Sequence, residues 1–233
     1  MTTITTINRT RFQASSAPDT TPIVFVVDDD ISVRESLELL IQVSGWRAET
    51  FASAREFLAR PRPSVPSCVI LDLALPDVSG LDLQQRVAAD RSEMPIIFIT
   101  GYGDISQSVR AMKAGALEFL TKPFREDVLV SAIRHALERS RRTLEHDAKM
   151  KALRQSYESL TPREREVMVL VVSGFLNKQV GGELGISEIT VKAHRGQVMR
   201  KMKADSLPSL VNMVAGLGLL ADRLDYLHGA LAS

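Results

Sequence analysis

Residues 68–80 read CVILDLALPDVSG, and the apolar run in this stretch ends at an acid, Asp72. Three other short apolar runs also end in polar residues, which are Asp28, Thr100 and Lys122. In an open parallel sheet, ligands bind outside the carboxyl ends of the strands. One polar residue at a strand end commonly just begins a solvated loop, but four in succession rarely arise by chance. We therefore expect the four side chains to meet at one site.

The front half of the chain alternates strand-length apolar runs with helical patterns. The predicted strands are 23–27, 46–51, 67–71, 95–99 and 117–120. Ser32 is the predicted N-cap of the first helix, and further helices are predicted near 54–60, 80–90, 105–114 and 125–139. This alternation predicts an α/β domain with a doubly wound, five-stranded parallel sheet that helices cover on both faces.

Composition describes an ordinary globular protein of one or two domains. The chain has 233 residues, of which 45% are hydrophobic and 24% charged. Its one cysteine, Cys68, excludes a disulfide framework and a cysteine metal site, and favours a reducing compartment. No apolar stretch reaches the roughly 18 residues that span a bilayer. We expect a cytoplasmic protein without a membrane partner, and a disordered polar leader over residues 1–21.

The formal net charge of +1 conceals an uneven distribution of charge. Residues 22–124 carry 10 basic and 14 acidic side chains, whereas residues 160–217 carry 8 basic and 5 acidic ones. An acidic front domain suits cations and a basic back domain suits acidic partners. Differences of this size also arise by chance, so charge alone assigns no function.

The polar strand ends suggest phosphoryl chemistry. Three carboxylates, those of Asp28, Asp29 and Asp72, would repel one another and raise their own pKa values unless a cation lay among them. Oxygen ligands suit Mg²⁺, and a carboxylate beside Mg²⁺ can attack phosphorus. The transferred group also needs its equatorial oxygens neutralised. Lys122 and Thr100 are available to neutralise these oxygens, and Gly101 leaves space for the transferred group.

Segment 22–139 resembles the receiver domain of two-component response regulators, which has the flavodoxin-like or CheY-like order of strands. The resemblance is carried by the motifs at residues 27–30 (VDDD), 71–80 (LDLALPDVSG), 99–101 (ITG) and 111–124 (AMKAGALEFLTKPF). It implies that a sensor histidine kinase phosphorylates Asp72. It also implies a Mg²⁺ site whose ligands are Asp29, Asp72, the Ala74 carbonyl and, through water, Asp28.

The same resemblance implies a conformational switch. Thr100 and Phe119 would be the switch pair, and the Lys122–Pro123 peptide bond would be cis. The face made by residues 105–114, 117–120 and the helix from 125 would form a homodimer on phosphorylation. The bulk of Tyr102 gives the further hypothesis that water reaches the phosphorylated site slowly.

A helical connector follows over residues 140–159, since neither Pro nor Gly occurs between Arg125 and Thr161. The first half of the helix should pack on the sheet, and the remainder could project as a linker. An apolar stripe ends at Leu144. A coiled coil through this stripe is an alternative, although charged residues interrupt it.

Residues 160–217 predict an all-α domain of four helices. Thr161 and Pro162 mark the start of the first helix. The predicted caps of the second and third helices are Asn177 and Ser187. The later helices are predicted at 178–184, 188–203 and 207–217. The second and third helices, joined by a short turn containing glycine, form a helix-turn-helix pattern.

This domain resembles the DNA-binding domain of the NarL/FixJ (LuxR-type) regulators, most closely the FixJ-like subgroup. The motifs that carry it are LTPREREV at 160–167, NK at 177–178, LGIS at 184–187, TVKAHR at 190–195 and MRKM at 199–202. From docking geometry, the residues predicted to face base edges are Lys192, Ala193, Arg195 and Gly196. Those predicted to contact phosphates are Thr190, Asn177, Lys178 and Arg200. The alternative is a solvated basic face.

Together these features predict a phosphorylation-activated transcription factor that is not an enzyme. Its expected partners are a sensor histidine kinase, promoter DNA, RNA polymerase and a second copy of itself. A haloacid-dehalogenase-type phosphatase would need an acid two residues after its nucleophile, where this chain has Ala74. A phosphate sink or adaptor that does not bind DNA is a further alternative, because Gly181 and Gly182 weaken the second helix. The tail, residues 218–233, has helical spacing of leucines.

Overall fold

The computed structural model describes residues 20–91, 93–101 and 105–219, in two compact units that divide between Arg142 and Thr143. Most of the predicted leader and of the predicted tail helix lies outside these residues. None of the helices in the described ranges combines the length and the apolar content that crossing a membrane requires.

The first unit contains a five-stranded sheet, as predicted. Its strands are β1 Ile23–Val27, β2 Arg47–Phe51, β3 Ser67–Asp72, β4 Ile96–Thr100 and β5 Glu118–Thr121. All neighbouring pairs are parallel, and the order is β2-β1-β3-β4-β5. This flavodoxin-like order has its topological switch point between β1 and β3, which is where ligands bind in such sheets.

Helices cover both faces of this sheet. They are α1 Ile31–Val43, α2 Ala54–Ala59, α3 Gly80–Asp90, α4 Ile105–Lys113 and α5 Glu126–Glu158. Successive residues of a strand point to opposite faces. Phe25 therefore joins a core with side chains of α2, α3 and α4, while Val24 joins a second core with side chains of α1 and α5. Burial on both faces explains why β1 is continuously apolar.

The start of α1 differs from the prediction. Asp30, not Ser32, is the N-cap, and its carboxylate accepts a hydrogen bond from the Ser32 N–H at 2.8 Å. The prediction was wrong because two residues with good capping side chains lie two positions apart, and Asp30 has the extended backbone that a cap requires.

The helix α5 serves both units. Its first half packs on the sheet through Leu129 and Ile133, as predicted. Further along, the Ser140 hydroxyl accepts a hydrogen bond from the N–H of Ser67 at 3.0 Å. Beyond the division between the units, Leu153 and Tyr157 pack against the core of the second unit. Part of the predicted linker thus contributes to the second unit's core.

The second unit contains the four predicted helices, α6 Pro162–Val172, α7 Asn177–Leu184, α8 Glu188–Met202 and α9 Leu207–Gly216. Thr161 and Glu164 form a capping box before α6, and Ser187 caps α8. Asn177 is the first residue of α7 and not its cap, so this prediction was wrong. The extended residue before it is Leu176, whose N–H donates to the side chain of Gln179 at 2.8 Å.

An internal ion pair joins α6 to α8. Lys201 Nζ donates to a carboxylate oxygen of Glu164 at 2.6 Å and to the Ser159 carbonyl at 3.2 Å. The hydrogen bond from Lys201 is the largest cause that holds the pKa of Glu164 below its ordinary value. This buried carboxylate therefore stays charged and fixes the start of α6 against α8.

The two glycines of α7 have different surroundings. A Cβ atom on Gly181 would lie 2.7 Å from the backbone oxygen of Ile186, in the turn between α7 and α8. A Cβ atom on Gly182 would meet nothing within 4 Å. Gly181 therefore permits close packing of the helix-turn-helix, whereas Gly182 has no comparable packing role.

We predict opposite effects on stability for two neighbouring substitutions. Gly182→Ala should stabilise the second unit by about 0.5–1 kcal/mol, because alanine favours helix. Gly181→Ala should destabilise it by about 1–3 kcal/mol, because the turn must move. Calorimetry of the full chain measures both effects. Fluorescence of Trp46, the one tryptophan, follows the first unit, whose unfolding should not change. Equal shifts for both variants would contradict this account.

Candidate functional site

Three strands of the first unit end in side chains that contact one another. Asp28 directly follows β1, Asp72 ends β3 and Lys122 follows β5. The Lys122 ammonium donates to Asp28 Oδ2 at 2.7 Å and to Asp72 Oδ2 at 2.8 Å. The sheet order makes this possible, since β1 and β3 are neighbours and β5 is one strand beyond β4. The structure thus brings together side chains separated by up to 94 positions in sequence.

The three acids predicted to hold a cation form one cluster. One carboxylate oxygen from each of Asp28, Asp29 and Asp72 lies within 4.8 Å of the others. Asp28 is fully buried, Asp72 is 7% exposed and Asp29 is exposed. Because the exposed acid leaves one side open to solvent, the cluster fits Mg²⁺, which prefers oxygen ligands and keeps several of its waters.

Backbone groups orient the two buried carboxylates. Asp28 Oδ1 accepts a hydrogen bond from the Asp30 N–H at 2.9 Å, and Asp72 Oδ1 accepts one from the Ala74 N–H at 3.0 Å. Each of these carboxylates therefore has one oxygen held by the chain and the other held by Lys122. Their orientation is fixed before any ligand arrives.

The electrostatics of the cluster are unbalanced. Burial raises the pKa of Asp28 above its ordinary value, although hydrogen bonding to Lys122 opposes the rise. Burial disfavours the charge on Lys122, but hydrogen bonds to Asp28 and Asp72 outweigh it and raise the pKa of the ammonium. One ammonium faces three carboxylates, so a divalent cation would relieve their mutual repulsion.

A short loop after β3 is fixed closely against the strand. A Cβ atom on Gly80 would lie 2.7 Å from the Asp72 carbonyl oxygen and 2.9 Å from Leu73 Cα. Only glycine avoids these clashes. At the tip of the loop, the Asp77 carboxylate accepts hydrogen bonds from the N–H groups of Ala54 and Arg55, at the start of α2. These contacts hold the segment that carries Ala74, the predicted carbonyl ligand.

An open cavity of about 570 Å³ borders this loop. Thr100, the last residue of β4, lies on it and is 2% exposed. Gly101 follows and is exposed. The cavity is also lined by Gln107 and Arg110 of α4, which the sequence analysis did not select. Arg110 lies in the last turn of α4, where a basic side chain interacts favourably with the helix dipole, so its position there does not by itself indicate a site.

Phe119 of β5 is half-buried, and its ring centroid lies 6.2 Å from that of Phe98. The Lys122–Pro123 peptide bond is cis, as expected. The Lys122 N–H donates to the Thr100 carbonyl at 2.7 Å, so the backbones of the predicted switch threonine and of the lysine are joined. Tyr102, the subject of the hypothesis on water access, lies outside the described residues.

The predicted base-reading residues lie on α8 and are not equally available. Lys192, Ala193 and Gly196 are exposed, and Lys192 forms an ion pair with Glu188 at 3.2 Å. Arg195 is half-buried and donates to Asn177 Oδ1 at 3.2 Å, which ties α8 to α7. The hydrogen bond restricts the Arg195 side chain but leaves other guanidinium donors for a base edge.

The predicted phosphate contacts include two exposed basic side chains, Lys178 on α7 and Arg200 on α8. Arg200 donates to the side chain of Gln197. Thr190 is exposed, and its hydroxyl oxygen lies 2.8 Å from that of Ser187. With Lys192, these groups give the second unit a basic surface along the helix-turn-helix.

Both units match known families. Residues 24–134 match the response regulator receiver domain, and residues 158–214 match the bacterial regulatory proteins of the luxR family.

Relatives of known name match nearly the whole chain. Nodulation protein W of Bradyrhizobium diazoefficiens is 50% identical over 206 residues, which cover 88% of this chain and 91% of the relative. Transcriptional regulatory protein FixJ of Rhizobium meliloti is 38% identical, with 84% and 96% covered. Among solved structures, response regulator StyR superposes with a TM-score of 0.78 at 46% identity and covers 84% of this chain and 98% of its own.

We predict that Mg²⁺ stabilises the first unit through Asp29. A ligand that binds the folded state stabilises it by about 2.7 kcal/mol at 100 times its Kd. Asp29→Asn should remove most of this effect, whereas Asp30→Asn should keep it. The control removes the same charge one residue away, and asparagine caps α1 as well as aspartate does. Thermal unfolding followed by Trp46 fluorescence, with and without Mg²⁺, measures the difference. Equal losses in the two variants would exclude Asp29 as a specific ligand.

Proposed function

The chain belongs to the response regulators that join a receiver domain to a LuxR-type DNA-binding domain, and from this membership we propose that Asp72 is its phosphoryl acceptor. It is a transcriptional regulator homologous to FixJ, Nodulation protein W and TodT. The observation that carries the proposal is the position of Asp72, which ends β3 within hydrogen-bonding distance of Lys122 and beside two further acids.

The proposed reaction transfers a phosphoryl group from the phosphohistidine of a sensor kinase. A carboxylate oxygen of Asp72 forms a bond to phosphorus as the bond from phosphorus to the imidazole nitrogen breaks. The electron pair of that bond returns to the imidazole. Lys122, already paired with Asp72 Oδ2, is placed to pair with one phosphoryl oxygen, and the Thr100 hydroxyl with nearby backbone N–H groups is proposed to bind another. Gly101 leaves space for the group.

The proposed ligands of Mg²⁺ are Asp29, Asp72, the Ala74 carbonyl and, through a water, Asp28. The cation supplies positive charge to the oxygens of the phosphoryl group. The fixed loop between β3 and α3 supports this assignment, because Gly80 and Asp77 hold the segment that carries the Ala74 carbonyl. Each chain accepts one phosphoryl group and loses it slowly to water, so we propose that the protein is not an enzyme.

Phosphorylation is proposed to act through Thr100 and Phe119. A phosphoryl group on Asp72 offers the Thr100 hydroxyl a new acceptor, and movement of Thr100 leaves space that the half-buried Phe119 can fill. The face of α4, β5 and α5 would then form a homodimer. Three exposed apolar side chains of α4 and α5 support this choice of face: Val109, Met112 and Val128.

The proposed output is binding of two helix-turn-helix domains to two half-sites of promoter DNA, with recruitment of RNA polymerase in the cytoplasm. The exposed Lys178, Lys192 and Arg200 support phosphate and base contacts. An adaptor that does not bind DNA is not favoured. The glycine pair that suggested it has a packing explanation at Gly181, where a side chain would strike the turn before α8.

We predict that a small phosphodonor such as phosphoramidate, with Mg²⁺, adds one phosphoryl group per chain. Intact-mass spectrometry measures the addition. Asp72→Asn should accept none, because the amide is not a nucleophile for this transfer. Asp30→Asn should be phosphorylated like the unaltered chain, since Asp30 caps α1. Phosphorylation of Asp72→Asn to the same extent would show that another residue is the acceptor.

A further inference from the structure

Among the large apolar side chains of the described residues, that of Ile189 is the most exposed, at 80%. One exposed isoleucine is ordinary on a protein surface, so its meaning depends on where it lies. Ile189 occupies the first turn of α8, directly after the cap Ser187 and the first helical residue, Glu188. The N-terminal part of a recognition helix is the part that reaches base edges in the major groove.

The spacing of Ile189 places it on the predicted base-reading face. Ile189, Lys192, Ala193 and Gly196 stand at positions i, i+3, i+4 and i+7, which share one side of a helix. All four are exposed. The opposite side of α8 is buried in the unit through Val191, Val198 and Met202. Ile189 therefore extends the reading face by one turn towards the helix N-terminus.

The chemistry of this face suggests what Ile189 contacts. Lys192 is the single charged residue among these four, and Ala193 and Gly196 are small enough to let the helix approach the bases. Thymine alone presents an apolar group in the major groove, its C5-methyl. We propose that Ile189 specifies thymine by contact with that methyl group, next to the base pair that Lys192 reads. The inference rests on the proposed DNA-binding function and adds to it a specificity-determining residue.

The first turn of α8 holds Ile189 in a defined position. The Ser187 hydroxyl accepts a hydrogen bond from the Thr190 N–H at 3.1 Å, and the hydroxyl oxygens of Ser187 and Thr190 are 2.8 Å apart. A β-branched side chain has one strongly preferred χ1 rotamer in a helix. Little conformational freedom therefore remains to be lost when Ile189 contacts a base.

Selection from a random duplex pool, with the full-length protein activated by Mg²⁺ and beryllofluoride, tests the proposal. The unaltered chain should select a site with a defined thymine, and Ile189→Ala should lose that preference and bind the selected site about 3- to 10-fold more weakly. Ile189→Val, which keeps a branched apolar side chain, should retain the preference. Val43→Ala is the matched control, because Val43 is 79% exposed but lies in the receiver unit.

Replacing the selected thymine by deoxyuridine isolates the methyl group, since the two bases have the same hydrogen-bonding edges. The unaltered chain should lose the same 3- to 10-fold in affinity, and Ile189→Ala should lose nothing further. The proposal is wrong if Ile189→Ala selects the same site with unchanged affinity, or if deoxyuridine weakens both proteins equally. In either case DNA binding itself stands. If the unaltered chain selects no sequence, the proposed function fails as well.

Discussion

The ammonium of Lys122 lies between the carboxylates of Asp28 and Asp72, and the receiver site depends on this arrangement. Burying a carboxylate such as that of Asp28 costs free energy unless the charge is paired and hydrogen-bonded. Lys122 supplies the pairing from the end of β5, and the backbone at Asp30 supplies a further hydrogen bond. Because one cation serves two acids, any new negative charge at Asp72 competes with Asp28 for Lys122. We propose that this competition makes the site respond to phosphorylation.

The two units of the chain use charge in opposite ways. In the receiver, acids exceed bases at the ends of the strands, so the site attracts a cation. In the DNA-binding unit, Lys201 pairs with Glu164 inside the unit and fixes α6 against α8, whereas the basic side chains of Lys178 and Arg200 are exposed. The reading face of α8 is itself mostly apolar or small. We therefore propose that different side chains attract phosphates and read bases.

The sequence predicted structural features best where a single physical rule applies to neighbouring residues. The bounds of β1 follow from an apolar run that ends before Asp28. A strand that is buried on both faces consists of apolar residues, so the first charged residue marks its end. Rules of the same kind could not choose between Asp30 and Ser32 as a cap. They also could not foresee why Gly181 is needed or that Ile189 is exposed, because both depend on which residues the turn before α8 brings close.

Phosphorylation at Asp72 is proposed to control DNA binding by the other unit. The most direct measurement is the affinity of the full chain for promoter DNA in Mg²⁺, with and without beryllofluoride as a phosphoryl mimic, at two salt concentrations. Beryllofluoride should tighten binding by the unaltered chain and leave binding by Asp72→Asn unchanged, and sedimentation should show a dimer in the first case alone. Equal affinity with and without beryllofluoride in the unaltered chain would contradict this proposal.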